Sequence, residues 1–243
     1  MLPLALLIPA MVSPDVTGAA QAMRAENQRL AAIRKAAQDG MCIAESEEAR
    51  IAALGGGDAW KYGELTAKGF VTLASALQLG PHDVFFDAGS GLGRLVMQAA
   101  RDFGVRRAIG IELSSSRHAH AVQSLRLESA LASRVHFLEG DCADARLWDE
   151  NLSECTVIFV SNLLFDSALN LRLKSCVEQH APRARAVACL RKFSEGVLLE
   201  GFEEPIMLPC ETSWSAPLAL PADATWVAPR RGTSVYVYER RLQ

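Results

Sequence analysis

The chain lacks the features that would place it in a specialised class. It has no excess of charge of one sign: 25 Lys+Arg stand against 28 Asp+Glu, a formal net charge of −3. No broad basic field is present to neutralise phosphates, which argues against a sequence-specific nucleic-acid binder. No span across a membrane is expected, because the uncharged opening stretch 1–12 (MLPLALLIPAMV) falls far short of the ~20 residues that a bilayer requires. The six cysteines, at 42, 142, 155, 176, 189 and 210, contain no C-x-x-C pair. That pattern excludes a zinc ribbon, and no metal site is expected. Most of the cysteines sit in apolar runs and suit reduced, buried thiols of an intracellular protein. Repeats, low-complexity tracts and long charge runs are missing as well. What is there is ordinary globular composition, with half the residues hydrophobic and 22% charged. At 243 residues the chain can bury one sizeable core, so one domain with a helical appendage is expected.

The opening stretch has the length of a signal-peptide apolar region and is followed by small residues at 17–20. It lacks a positive flank and contains Pro3 and Pro9. The expected layout is therefore a leader or unstructured terminus over 1–20, a helical extension over 21–80, and an α/β domain over 81–243. Residues 19–38 are rich in strong helix formers. A second helix is expected over 43–54, stopped by Gly55-Gly56-Gly57. A third is expected over 65–79, where Phe70, Leu73, Ala74 and Leu77 follow helical spacing before Gly80-Pro81.

From there short apolar strands alternate with amphipathic helices. Strands are expected over 84–86, 108–111, 135–138, 156–160 and 186–190. Ser114 and Asp166 are placed to cap intervening helices. Such alternation implies a doubly wound, mostly parallel sheet. The segments 205–210 and 235–238 have no helical pattern between them. They predict an antiparallel pair that completes a seven-stranded sheet.

The sharpest motif is Asp87-Ala88-Gly89-Ser90-Gly91-Leu92-Gly93, a strand running into three alternating glycines and then a helix. Glycines let a ligand approach the main chain. A dinucleotide site also uses such a loop, but its G-x-G-x-x-G spacing would put the third glycine where Arg94 stands. Asp87 would also meet a pyrophosphate with like charge. S-adenosylmethionine brings an ammonium and a sulfonium, which a carboxylate attracts. Glu112 ends the second strand, where an acid accepts ribose hydroxyls. Asp141 lies just past the third strand and is placed to accept an adenine amino group. Three carboxylates at consecutive strand ends form one edge, which is where open α/β sheets bind ligands.

With those residues in place, the chain resembles the disruptor-of-telomeric-silencing family, histone lysine methyltransferases that lack a SET domain. Tyr62-Gly63-Glu64 is similar to the family's Y-G-E element, on a loop over the cofactor. Residues 87–93 are similar to its D-L-G-S-G-x-G loop, Gly110-Ile111-Glu112 to its G-x-E strand end, and Gly140-Asp141 to its G-D pair. The stretch 157–165 (VIFVSNLLF) resembles V-I-F-V-N-N-F-A-F, and Ser213-Trp214 resembles an S-W pair near the lysine channel. The chain departs from the family at Ser161, which replaces the first Asn of N-N, and at Cys142, which replaces an aromatic. Arg94 stands where Gln is common, and no Lys-rich tail is present.

The resemblance implies an S-adenosylmethionine-dependent protein-lysine methyltransferase acting on a core histone in a nucleosome, and hence a nuclear protein. Otherwise a cytoplasmic protein is expected, with an organellar or secretory leader left open. It implies that Tyr62, Glu64, Asp87, Gly89, Ser90, Gly91, Gly93, Glu112, Asp141 and Asn162 hold the cofactor. Asn162, Phe165, Tyr62 and Trp214 would be the catalytic residues, with Tyr62, Phe165, Trp214 and Tyr236 lining the lysine channel. Positioning for in-line transfer supplies most of the rate, and an aromatic channel favours the neutral amine that must attack. His118 and His120, two apart on one helix, face different ways and fit no catalytic motif. The same residues suit a methyltransferase of a non-histone protein or small molecule, or a regulatory protein that binds the cofactor without turnover. A nicotinamide enzyme is the remaining reading.

Overall fold

Seven strands lie in the order β3-β2-β1-β4-β5-β7-β6. They are β1 (Val84–Ala88), β2 (Arg107–Glu112), β3 (Val135–Glu139), β4 (Val157–Val160), β5 (Ala186–Cys189), β6 (Ile206–Cys210) and β7 (Thr233–Glu239). The structure, a computed structural model, describes residues 42–215 except 195 and 197, and residues 232–241. The helix expected over 19–38 and the leader lie outside the described residues. β1 to β5 are parallel, and β7 runs antiparallel to both β5 and β6. The tail pair predicted from the sequence therefore closes the sheet.

Helices cover both faces: α1 (Glu45–Gly55), α2 (Ala67–Ala76), α3 (Arg94–Asp102), α4 (Ser115–Leu127), α5 (Ala145–Asn151) and α6 (Ser167–His180). Because both faces are covered, β1, β4 and β5 are buried along their whole length, as crossover helices require. The period-2 alternation of the strands divides the core. Phe85, Phe159 and Val237 point to the side of Phe70, Leu73 and Val96, while Phe86, Ile158 and Val160 point to the side of Trp148, Leu173 and Val177. α2 thus packs into the same core as the sheet.

Side-chain caps set the starts of several helices. Thr66, Ser114 and Asp166 accept hydrogen bonds from the amides of Gly69 (3.1 Å), Arg117 (3.2 Å) and Leu169 (2.7 Å). The Thr66 cap starts α2 later than the periodicity predicts. α5 was not legible as a helix, since its seven residues carry little apolar periodicity. It is held by Asp144 at its start and by the buried Trp148 indole, which donates to the Cys142 carbonyl at 2.8 Å. Strand order reverses between β1 and β4, so the carboxyl ends of β1, β2 and β4 open on one crevice.

Candidate functional site

Three strand ends build the floor of that crevice. Asp87, near the end of β1, is 3% exposed, and its Oδ1 has no hydrogen-bond partner among the described residues. Burial, with Glu112 and Glu64 nearby, pushes its carboxyl well above the usual carboxylate range. The glycine loop then folds back over β2. Gly89 and Ser90 donate to the Ile111 carbonyl, both at 2.9 Å, and Gly91 donates to Glu112 Oε2 at 2.7 Å. The other Glu112 oxygen accepts from the Ser114 amide at 2.8 Å. Burial raises the Glu112 pKa, against the pull of these two amides and of Arg117. Ser90 Oγ is also buried and lacks a partner among the described residues.

A second loop, 60–64, lies over the first. A Cβ on Gly91, whose φ is +54°, would stand 2.7 Å from the Tyr62 ring, so the ring lies against the glycine backbone. The Tyr62 hydroxyl donates to Glu64 Oε2 at 2.5 Å, and Glu64 is ion-paired with Arg94 at the start of α3. Burial and Glu64 push the Tyr62 hydroxyl far above its ordinary pKa, so it keeps its proton and cannot serve as a base. The Tyr62 ring also meets Arg117, whose guanidinium carbon lies 5.2 Å from the ring centroid. Arg117 also donates to the Trp60 carbonyl at 2.7 Å. The chain after β6 joins from the far side. Ser213 exchanges hydrogen bonds with the Glu64 backbone, its amide donating to the carbonyl at 2.8 Å, and the Trp214 ring packs on Gly63.

These parts enclose a cavity of about 400 Å³, within the range of ligand sites. Tyr62, Glu64, Asp87, Gly89, Ser90, Gly91, Glu112, Asp141, Phe165 and Trp214 all line it, as do Ser161 and Cys142. Phe165 stands against Gly89, and Trp214 is 41% exposed at the edge. Asp141 is already engaged: its Oδ1 accepts from Ala143 at 2.9 Å and its Oδ2 pairs with Arg172 of α6. Both Glu112 and Asp141 keep lone pairs for further donors.

Three expected residues lie elsewhere. Asn162 does not line the cavity. Its Nδ2 donates to Asn170 Oδ1 (2.6 Å) and the Arg191 carbonyl (2.8 Å), and its Oδ1 accepts from Leu190 and Arg191, both at 3.0 Å. That uses the full capacity of a carboxamide, so Asn162 fastens the ends of β4 and β5 together and Ser161 takes the cavity side. Gly93 likewise faces away, with Phe137 occupying the place of a side chain. Tyr236 is also off the cavity lining, under Lys192. Replacing Asn162 with alanine is expected to lower stability by about 3 kcal/mol, because buried backbone groups lose their partners. Urea denaturation measures this, and ligand affinity of the folded protein should stay within about twofold.

Sequence reasoning passed over Arg94 as a loop anchor, and over Arg117 and Arg172 altogether. No local pattern marks them, since each acts on a residue 30 to 57 positions away. The five cysteines after Cys42 are buried free thiols, and burial pushes the Cys142 thiol far up. Among the described residues no group of His, Cys, Asp and Glu has the makings of a metal site, and no helix is long and apolar enough to cross a membrane.

A family model described as histone methylation protein DOT1 matches residues 56–197. A histone-lysine N-methyltransferase, H3 lysine-79 specific, from Caenorhabditis elegans is 31% identical over 121 residues. The match covers 47% of this chain and 13% of that protein. A protein-lysine N-methyltransferase from Saccharolobus islandicus is 29% identical over 76 residues, covering 31% of this chain and 44% of its own length. Among solved structures, the putative methyltransferase yhhF from Escherichia coli aligns with a TM-score of 0.51 at 14% identity, over 73% of this chain and 87% of its own. At that identity the likeness is one of fold.

Proposed function

The chain belongs to the DOT1 family of histone methylation proteins, and from that premise we propose that it methylates a protein lysine from S-adenosylmethionine, with a core histone as substrate. Its fold is that of class I methyltransferases. One observation carries the cofactor assignment: Asp87 Oδ1, buried at the floor of the cavity beside the glycine loop, has no partner among the described residues. A lone buried carboxylate is costly and shifts toward its neutral form. An ammonium placed there restores the charge and gains a charge-assisted hydrogen bond. A pyrophosphate in the same place would be repelled. Ser90 Oγ offers a second unspent polar atom nearby.

When bound, S-adenosylmethionine supplies an activated methyl group on a sulfonium. The residues of the chain then have three tasks. Asp87 and the glycine loop hold the charged end. Tyr62 lies over the loop and excludes water, and its hydroxyl, kept protonated by burial, takes no proton from the substrate. Phe165 and Trp214 offer apolar faces to the incoming amine, which favours its neutral, attacking form and holds a methylated ammonium afterwards. No general base is needed, as positioning alone lowers such barriers by roughly 7–11 kcal/mol in favourable cases.

A lysine on a protein other than a histone is the second reading, and it is favoured by how arginines of the basic pairs Arg106-Arg107, Arg230-Arg231 and Arg240-Arg241 are engaged. Arg106 is paired with Glu154, Arg240 donates to the Ala181 and Ala184 carbonyls, and Arg241 lies 3.8 Å from Glu203. Arg240 is spent within the fold, while Arg106 and Arg241 share the surface with carboxylates that offset the charge they could offer nucleosomal phosphates. Arg230-Arg231 lies outside the described residues. A nuclear location follows only from the histone reading.

Transfer of labelled methyl from S-adenosylmethionine, with nucleosomes, free histones and cell extract in parallel, tests both readings. Label on a histone lysine is the expected result. Label confined to other proteins in the extract would discard the histone and keep the transfer.

A further inference from the structure

We propose that Arg117 is a positioning residue of the transfer reaction: it holds Tyr62 and the 60–64 loop closed over the cofactor. The inference rests on the reading above, that the cavity takes S-adenosylmethionine. Arg117 sits in the first turn of α4, directly after the strand end that carries Glu112, and it is 4% exposed. Guanidiniums are rarely buried to this degree unless they are paired and hydrogen-bonded. Glu112 of the same strand end supplies a carboxylate that feels its charge, and its other named partners belong to a loop 57 residues earlier in the chain. Arg117 donates to the Trp60 carbonyl at 2.7 Å, and its guanidinium carbon lies over the Tyr62 ring at 5.2 Å from the centroid. It also lines the cavity.

This places Tyr62 between two arginines of different helices. Its hydroxyl is held by Glu64, which Arg94 of α3 holds in turn, and its ring is held by Arg117 of α4. The two helices flank the glycine loop, so the loop over the cavity is pinned to the same frame that positions Asp87 and Glu112. Tyr62 touches the glycine backbone, and Arg117 acts through it. Only arginine can both stack by its flat face and donate in its plane, so lysine is a poor substitute despite its charge.

A loop that is less often closed weakens apparent affinity by the closed fraction, while saturating cofactor restores the closed state. Arg117→Met is therefore expected to raise the cofactor KM and Kd about tenfold, the scale of a desolvated cation–ring contact, with kcat within about twofold. Tyr62→Leu should raise the cofactor Kd by a similar factor, and the double variant should bind little worse than either single one, because the two residues share one contact. Should Arg117→Met fail to show a cooperative thermal transition, Arg117→Lys carries the same expectation.

Calorimetric titration with S-adenosylmethionine and steady-state kinetics read these values. A fall in kcat at unchanged KM would mark a structural role and overturn the proposal. Additive effects of the Arg117 and Tyr62 variants would overturn it too. If the parent protein binds no S-adenosylmethionine, the cofactor reading itself falls and takes this proposal with it. Binding by the parent with unchanged affinity in the variants overturns the proposal alone.

Discussion

Gly91→Arg is expected to abolish measurable S-adenosylmethionine binding while leaving a folded protein. Two physical terms act together at this position. The backbone φ of +54° is one that residues with a side chain adopt at a cost of about 1–3 kcal/mol. The first carbon of any side chain would also lie 2.7 Å from Tyr62 Cε2, inside contact distance. The Tyr62 loop must therefore lift, and the guanidinium fills the cavity from its floor. The loop is peripheral to the two hydrophobic clusters, so circular dichroism should show native helix and strand content, with Tm lowered by several degrees. Calorimetry should find affinity reduced by at least about 100-fold, the scale expected when charge-assisted contacts are lost together. Unchanged affinity would remove the cavity from consideration as the cofactor site.

Asp87→Asn separates stability from function. In the free protein the carboxyl is held well above its ordinary pKa by burial and by Glu112 and Glu64. The sign follows by linkage. Below the unfolded-state pKa both states carry the proton and Asp87 contributes nothing to the pH dependence. As pH rises past that value, the unfolded chain ionises while the folded one resists, and stability falls until the raised folded pKa is reached. The amide cannot ionise, so Asp87→Asn should raise Tm relative to the parent, and by more at pH 8 than at pH 5. Cofactor affinity moves the other way, since the amide offers an ammonium no charge. A loss of about 10- to 100-fold is expected for a charged hydrogen bond of this kind. In the parent, affinity should rise with pH through the Asp87 titration, because the cationic ligand prefers the carboxylate. Thermal scans and titrations across that pH range measure both effects. A variant that is less stable than the parent at pH 8 would show that Asp87 is paired in the free protein.

The two variants differ in what the sequence could foretell. The backbone part of the Gly91 effect is local, because a residue in a strand-to-helix turn of alternating glycines is marked by its neighbours, while the clash with Tyr62 needs the fold. The Asp87 effect on stability needs the fold, since only the burial of β1 between β2 and β4 turns an aspartate at a strand end into an isolated one. Asn162 is the counterexample. Its place in a motif-like stretch points to the site, yet the alternation of β4 and the following turn send Ser161 to the cavity and Asn162 into the gap between strand ends. One residue of phase decides which polar group faces the cavity.

By itself the sequence determined the elements of the sheet and most of its edge chemistry. Strand and helix periods, capping residues and glycines in turns are properties of a few neighbouring residues, and they survive without knowledge of what packs against them. The carboxylates at the ends of β1, β2 and β3 could be read because the strands could be counted. Tertiary structure alone decided how the cavity is closed. Ser213 meets Glu64 across 149 residues, Arg94 meets Glu64 across 30, Arg117 meets Trp60 across 57, and Arg172 meets Asp141 across 31. Each pair depends on how helices settle on the sheet and where loops return, and the energies involved come from packing and desolvation, which no local pattern records.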